Sequence, residues 1–137
     1  GKIDINETHR TDWKAKNYFI KIYRTEMRAY KKRTKLSTNA SIILFYLQDY
    51  IDFGTNKISK EKDIGFSNSD ISELTGISIR SVGGALKELE DKAFIIRKGS
   101  THNREIYMNP FLICAGNIID KEIVEQFKKI YTPLTPY

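Results

Sequence analysis

The stretch FSNSDISELTGISIRSVGGALKELED, residues 66–91, decides the fold of this chain. Ser67 or Asn68 can cap a short helix, and Gly76 in the following TGIS turn can adopt the left-handed conformation that ends a helix. Ser78 can then cap a longer helix. Apolar residues recur in this longer helix at the spacing of one buried face, namely Val82, Ala85, Leu86 and Leu89. This order predicts a helix–turn–helix.

Two adjacent glycines lie in the first half of the longer helix, at Gly83 and Gly84. Each glycine inside a helix costs about 1 kcal/mol relative to alanine. The pair is therefore expected to serve close approach, either of the helix backbone to a ligand or of another chain segment to the helix.

The next stretch, AFIIRKGSTHNREIYMNP, predicts a β-hairpin. FIIRK and REIYM are strand-like, with Ile95 and Arg97 expected on the face opposite Phe94 and Ile96, and GSTHN between them has the composition of a hairpin turn. A helix–turn–helix followed directly by a hairpin is a winged helix, and residues 66–109 are assigned to it. The tip of the wing carries Lys98, Ser100, Thr101, His102, Asn103 and Arg104.

The flanking segments complete a predicted single α+β domain spanning residues 1–137. A polar arm (1–11) precedes an extended segment near 17–22 and a helix of about 24–33. Residues 52–65 read as turn and loop, with a short strand possible at 64–66. An amphipathic helix at 119–131, capped by Asp120, precedes a loose tail at 132–137.

The helix that begins at Ser37 or Thr38 is predicted to be central to the core. One face carries apolar residues, and further large apolar side chains lie on the remaining faces, so burial on most sides is expected. The first set is Ala40, Ile43, Leu44, Leu47 and Ile51, and the second is Ile42, Phe45 and Tyr46.

Charge favours a polyanionic partner. The 137-residue chain has a net charge of +6, and residues 10–35 hold ten basic and two acidic residues. Such a run suits a phosphate backbone or an anionic membrane surface. The apolar run at 40–47 is too short to span a bilayer, and the start lacks a signal-peptide pattern. Cys114 alone cannot form an internal disulfide or a thiolate zinc cluster, so a cytoplasmic protein without cofactors is expected.

Several segments together resemble Firmicute plasmid replication proteins of the RepL kind. They are FIKIYR at 19–24, ILFYLQDYIDFG at 43–54, and an Asn109–Pro110 pair that leads into Phe111, Leu112 and Gly116. The resemblance covers about residues 17–117. It implies an initiator that binds origin DNA and recruits host replication proteins. Related recognition helices often read TVxRAL where this chain has SVGGAL, so the expected basic contact is replaced by Gly84.

Because the second helix of a winged helix enters the major groove with its N-terminal half, its outward residues are the candidate DNA contacts. They are Ser78, Arg80, Ser81, Gly83, Gly84 and Lys87. Arg80 is the best candidate to read a base, and the alternatives are a phosphate contact or a solvated arginine. Ile79 is expected to pack rather than to touch a thymine methyl. Lys87, Lys98 and Arg104 are expected to bind phosphate, and the alternative for the two wing residues is a solvated charge. The cluster Lys31, Lys32 and Arg33 forms a second phosphate site or a solvated helix end.

Catalysis is not expected. Rolling-circle initiators often nick DNA with a tyrosine assisted by a metal that a His-hydrophobe-His motif holds, whereas this chain has only His9 and His102, widely separated. It also lacks a Walker phosphate loop. The predicted function is sequence-specific binding of double-stranded DNA by a replication initiator. The alternatives are a transcriptional regulator and a winged helix that binds another protein. The C-terminal helix either forms a homodimer interface or covers the chain's own core with Ile123, Phe127 and Ile130.

Overall fold

The computed structural model describes residues 19–100 and 103–134. In these ranges helices and strands alternate in the order β1 (Ile20–Ile22), α1 (Arg24–Thr34), α2 (Thr38–Leu47), a 3₁₀ turn (Gln48–Tyr50), β2 (Lys57–Glu61), β3 (Ile64–Gly65), α3 (Asn68–Thr75), α4 (Ile79–Asp91), β4 (Ile95–Lys98), β5 (Glu105–Met108), β6 (Ile113–Ala115) and α5 (Lys121–Lys128). The predicted polar arm lies outside the described residues.

The helix–turn–helix is α3 and α4, as predicted. The Ser67 side chain accepts a hydrogen bond from the Asp70 amide, and the Asp70 carboxylate accepts one from the Ser67 amide, which forms a capping box. Gly76 ends α3 in the left-handed region with φ of 81°. Ser78 caps α4 by accepting a hydrogen bond from the Ser81 amide. The predicted inner face of α4 is buried.

The wing is the antiparallel β4–β5 hairpin, which is the edge of a sheet in the order β3-β2-β5-β4. The prediction of a loop through 52–65 is wrong for β2, which pairs with β5 through Lys57 opposite Tyr107 and Ile58 opposite Ile106. In its KISKE sequence only Ile58 is a buried apolar residue. A single apolar residue cannot give the alternation of apolar and polar residues from which a strand is predicted.

The helix α2 is central but not buried on most sides. Its Ala40, Ile43, Leu44 and Leu47 side chains lie in the core, where α2 packs against α3 and α4. Phe45 is 65% exposed and Tyr46 39% exposed. The prediction of burial is wrong for these two aromatics because α3 and α4 cover only the opposite side of α2.

The two ends of the described chain are joined. Strand β1 pairs antiparallel with β6, with Ile20 opposite Ala115. In α1, the buried Glu26 carboxylate accepts hydrogen bonds from the Tyr131 hydroxyl and from the Leu134 amide. The prediction of a loose tail is therefore wrong for Leu134, which a buried carboxylate holds in place.

The helix α5 is shorter than predicted. It ends at Lys128, and Ile130 beyond it is 52% exposed, whereas Ile123 and Phe127 are buried against this chain's own core. Asp120 occupies the N-cap position, but its side chain makes no capping hydrogen bond, so the predicted side-chain cap is wrong. The apolar face of α5 is thus covered within the protomer.

Two buried asparagines organise the chain around the wing. The Asn109 amide group donates to the Ala93 carbonyl at 2.8 Å, and its side-chain oxygen accepts from the Phe111 amide at 2.9 Å. Asn56 donates to the carbonyls of Met108 and Ile113 and accepts from the Ala115 amide. These bonds fix where the chain turns after β5, because buried backbone groups need partners.

Candidate nucleic-acid interface

The N-terminal turn of α4 is the most exposed part of the helix–turn–helix. Ser78, Ile79 and Arg80 are all exposed, and the first turn contains no acidic residue. Among the described residues, the Arg80 guanidinium has no hydrogen-bond or ion-pair partner. A helix N-terminus attracts anions through its free amides and its dipole, and the unpaired Arg80 strengthens this local positive potential.

Ile79 departs from the prediction that it packs inside the protein. Its side chain is 53% exposed, directly before Arg80. Ile77, two residues earlier in the turn between α3 and α4, is the partly buried isoleucine that packs against the core. The first turn of α4 therefore exposes an apolar side chain, Ile79, directly beside the cationic side chain of Arg80.

The two glycines of α4 face different surroundings. A methyl group added at Gly84 would meet no atom within 4 Å, and Gly84 is exposed. A methyl group at Gly83 would lie 3.6 Å from the side-chain nitrogen of Asn68 in α3. Gly83 therefore faces the start of α3, whereas Gly84 faces solvent.

Two predicted phosphate contacts are lysines with partners of their own. The Lys87 ammonium forms an ion pair with Asp91 at 3.2 Å, with both side chains well exposed. The Lys98 ammonium lies 5.3 Å from the centre of the Tyr107 ring across the β4–β5 hairpin. The Lys87–Asp91 pair is exposed and contributes little stability, whereas Lys98 and Tyr107 are both partly buried.

Arg104 has a different position from the one predicted. Its guanidinium donates to the Asn68 side-chain oxygen and to the Phe66 carbonyl, each at 2.7 Å, so it joins the wing to the start of α3. Its Nε atom is buried and, within the described residues, without a partner. Burial lowers the pKa of Arg104 from its usual value. The wing-tip residues Thr101 and His102 lie outside the described residues, as does His9.

The cluster Lys31, Lys32 and Arg33 lies near the opposite end of α4. Just after α1, Ser37 donates through its amide and its hydroxyl to the Glu88 carboxylate at 2.7 and 2.6 Å. These hydrogen bonds lower the pKa of Glu88. Ser78 and Glu88 are about 15 Å apart along the helix axis. The structure therefore does not bring the cluster at Lys31, Lys32 and Arg33 close to Arg80 in the first turn of α4.

The described residues offer little for metal or thiol chemistry. Within 19–100 and 103–134, no three His, Cys, Asp or Glu side chains converge as metal ligands. Cys114 is buried in β6, and burial raises the pKa of its thiol, which keeps it protonated. In the same ranges, no helix has the length and apolar character needed to cross a bilayer.

Comparison with solved structures returns distant likenesses. A mutant of MepR from Staphylococcus aureus is 15% identical, with 94% of this chain and 77% of that chain covered and a TM-score of 0.41. BpsR of Bordetella bronchiseptica, whose DNA binding is regulated by 6-hydroxynicotinic acid, is 12% identical, with 95% and 76% covered and a TM-score of 0.39. Structural similarity at TM-scores this low does not support an inference about function.

Sequence comparison is more informative. No curated protein matches the chain significantly. The sequence profile of the Firmicute plasmid replication proteins, RepL, matches residues 5–133, which is nearly the whole chain. This match agrees with the resemblance carried by the Asn109–Pro110 pair and by FIKIYR, and with the winged helix seen in the structure. The chain therefore belongs to the RepL family of Firmicute plasmid replication proteins.

Proposed function

We propose that this protein initiates plasmid replication by binding origin duplex DNA through its winged helix. The observation that carries the proposal is the exposed first turn of α4, where Arg80 projects without an ionic partner among the described residues and no acid opposes it. Membership of a plasmid replication family supports the same reading. Binding, rather than chemistry, is the activity assigned to this chain.

In this proposal α4 enters the major groove with its N-terminal half. Arg80 donates two hydrogen bonds to a guanine, and Ile79 contacts a neighbouring thymine methyl. Ser78 and Ser81 bond to phosphates at the groove edge, and the bare backbone at Gly84 permits close approach.

Lys87 and Lys98 contact phosphates that position the protein without specifying sequence. Arg104 contributes by holding the wing against α3, since its guanidinium is already bonded within the protein. We place Gly83 outside the DNA contact because it faces Asn68.

The test is a footprint on the plasmid that encodes the gene, followed by affinity measurements on the protected site. We expect Arg80→Ala to weaken binding to that site about ten- to a hundredfold, because a bidentate arginine–guanine contact contributes about 1–3 kcal/mol of discrimination. Binding to random duplex should weaken much less. Lys121→Ala, an exposed cation on α5, is the matched control and should change neither affinity.

Two outcomes would favour the alternative functions. If binding to random duplex shows no dependence on salt near physiological ionic strength, a protein-binding winged helix replaces the DNA-binding one. If Arg80→Ala abolishes binding but a plasmid carrying it still replicates, the protein is a transcriptional regulator.

A homodimer that places two α4 helices in successive major grooves belongs to this proposal, as do host replication proteins and a cytoplasmic location. Because Ile123 and Phe127 are buried within the protomer, the dimer would use a surface other than the apolar face of α5. Sedimentation with and without the protected duplex measures the oligomeric state of the protein. A single protomer bound to the duplex would contradict the homodimer.

A further inference from the structure

A groove with a cationic rim runs along α1. It encloses about 480 Å³ and is lined by Ile22, Met27 and five cations, which are Arg24, Arg28, Lys31, Lys32 and Lys35. The cations recur at intervals of three, four or one residues, so they share one side of the helix. Residues of opposite character therefore meet in one groove, with apolar side chains at its floor and cations at its rim.

Within the described part of the chain, the charge of this rim has no anionic partner. None of the five cations forms an ion pair or a side-chain hydrogen bond with the residues that the structure describes, although lysines elsewhere, such as Lys57 and Lys92, do. The acid of α1, Glu26, points inward and bonds to Tyr131 and Leu134. Five like charges on one face repel one another, so an anionic partner would relieve a cost already present in the fold.

The floor of the groove distinguishes among anionic partners. Ile22 is 47% exposed, and the adjacent Tyr23 is 38% exposed. A duplex backbone is dominated by phosphate charge and gains little from an exposed isoleucine. An amphipathic peptide gains from both parts, since its apolar residues cover Ile22 while its carboxylates meet the rim.

The position of the groove also separates it from the DNA-reading turn. The hydrogen bonds from Ser37 to Glu88 and from the Lys92 ammonium to the Lys35 carbonyl, at 2.8 Å, fix the end of α1 beside the C-terminal part of α4. The candidate base reader Arg80 is at the other end of that helix. A partner in the groove and a duplex at Arg80 would thus use different ends of the same helix.

We propose that the α1 groove is a docking site for an acidic, amphipathic helix of a protein partner. Leucine-like residues of the partner, spaced by three and four positions, would contact Ile22 and the aliphatic stems of the rim side chains, and flanking Glu or Asp would pair with Arg28 and Lys32. This site does not depend on the proposed DNA contacts.

The probe is a synthetic helical peptide with Leu at positions i, i+3, i+4 and i+7 and Glu at the flanking positions, labelled for fluorescence anisotropy. A scrambled peptide of identical composition is the control for charge alone. We expect the full chain to bind the amphipathic peptide at least about tenfold more tightly than the scrambled one, since helix-in-groove recognition depends on that spacing.

Two variants locate the binding. Ile22→Ser removes the apolar floor, and the pair Arg28→Glu with Lys32→Glu reverses the rim; each should weaken peptide binding about tenfold or more, by the loss of apolar burial or of charge pairing. Lys121→Glu with Lys128→Glu on α5 makes the same change in net charge and should leave it unchanged. Thermal unfolding of each variant checks that the fold is kept.

Equal binding of both peptides, or no binding of either, would overturn the proposal. So would a loss of random-duplex affinity in the rim variant that exceeds the loss in the α5 variant, because the groove would then be a DNA surface. Arg80→Ala should leave peptide binding intact, so this proposal and the proposed function fail by different measurements.

Discussion

Replacing Gly84 with alanine should stabilise the free protein. The added methyl group meets no atom within 4 Å, and the residue lies in the middle of α4. Only the helix propensity then changes, which is worth about 1 kcal/mol in favour of alanine. For a chain of this length, that gain raises the melting temperature by roughly 3 °C. Urea unfolding followed by circular dichroism measures the free-energy difference directly.

The control is Gly76→Ala in the same helix–turn–helix. Gly76 also has open space around it, but its φ is 81°, so alanine there should cost about 1–2 kcal/mol. A Gly84→Ala protein that is no more stable than the parent would refute the reasoning from open space and propensity. Gly84→Leu should fold but bind the protected site more weakly; unchanged affinity would show that close approach does not explain this glycine.

Three further perturbations test other parts of the structure. Arg104→Lys keeps the charge but loses the two guanidinium hydrogen bonds, so it should weaken DNA binding as much as Arg104→Ala if the residue positions the wing; affinity retained by lysine alone would indicate a phosphate contact. Because hydrogen bonds from Ser37 lower the pKa of Glu88 in the folded state, their stabilisation is present above the ordinary pKa of 4.5 and is lost as the pH falls through the folded pKa. Urea midpoints at about pH 7 and about pH 3 should thus differ less in Glu88→Gln, and an equal difference would contradict this linkage. Asn56→Ala leaves three buried backbone groups unpaired and should lower the free energy of unfolding by about 3 kcal/mol or more, measured by urea unfolding, and a loss below about 1 kcal/mol would contradict it.

The helix–turn–helix and the wing could be predicted because their signals are local. The caps at Ser67 and Ser78 and the left-handed Gly76 act within a few residues, so the sequence itself contains both partners. Strand β2 could not be predicted in the same way, because its pairing with β5 depends on residues far along the chain. Asn56 illustrates the difference, since nothing near it in sequence announces its bonds to Met108, Ile113 and Ala115.

In the candidate interface too, the features that depend on local sequence could be predicted and those that depend on tertiary contacts could not. The exposure of Arg80 and Gly84 follows from helical periodicity alone, and the structure agrees. The roles of Gly83 and Arg104 depend on Asn68, which approaches them only after α3 folds against α4 and the wing. A charged residue at a predicted turn suggests a solvent-facing contact, and only the tertiary structure shows that its guanidinium is already bonded.

The joined ends of the chain have a consequence for how the protein is made. Strand β1 pairs with β6, and Glu26 meets Tyr131 and Leu134, so β1 and the N-terminal part of α1 gain these anchors from segments that are synthesised long after them. Contacts between α3, α4 and the wing connect segments much closer in sequence and form sooner, because closing shorter loops costs less entropy. We expect the winged-helix half to be in place on a nascent chain before β1 and the N-terminal part of α1 have docked, so that the end of the α1 groove at Ile22 and Arg24 forms after it.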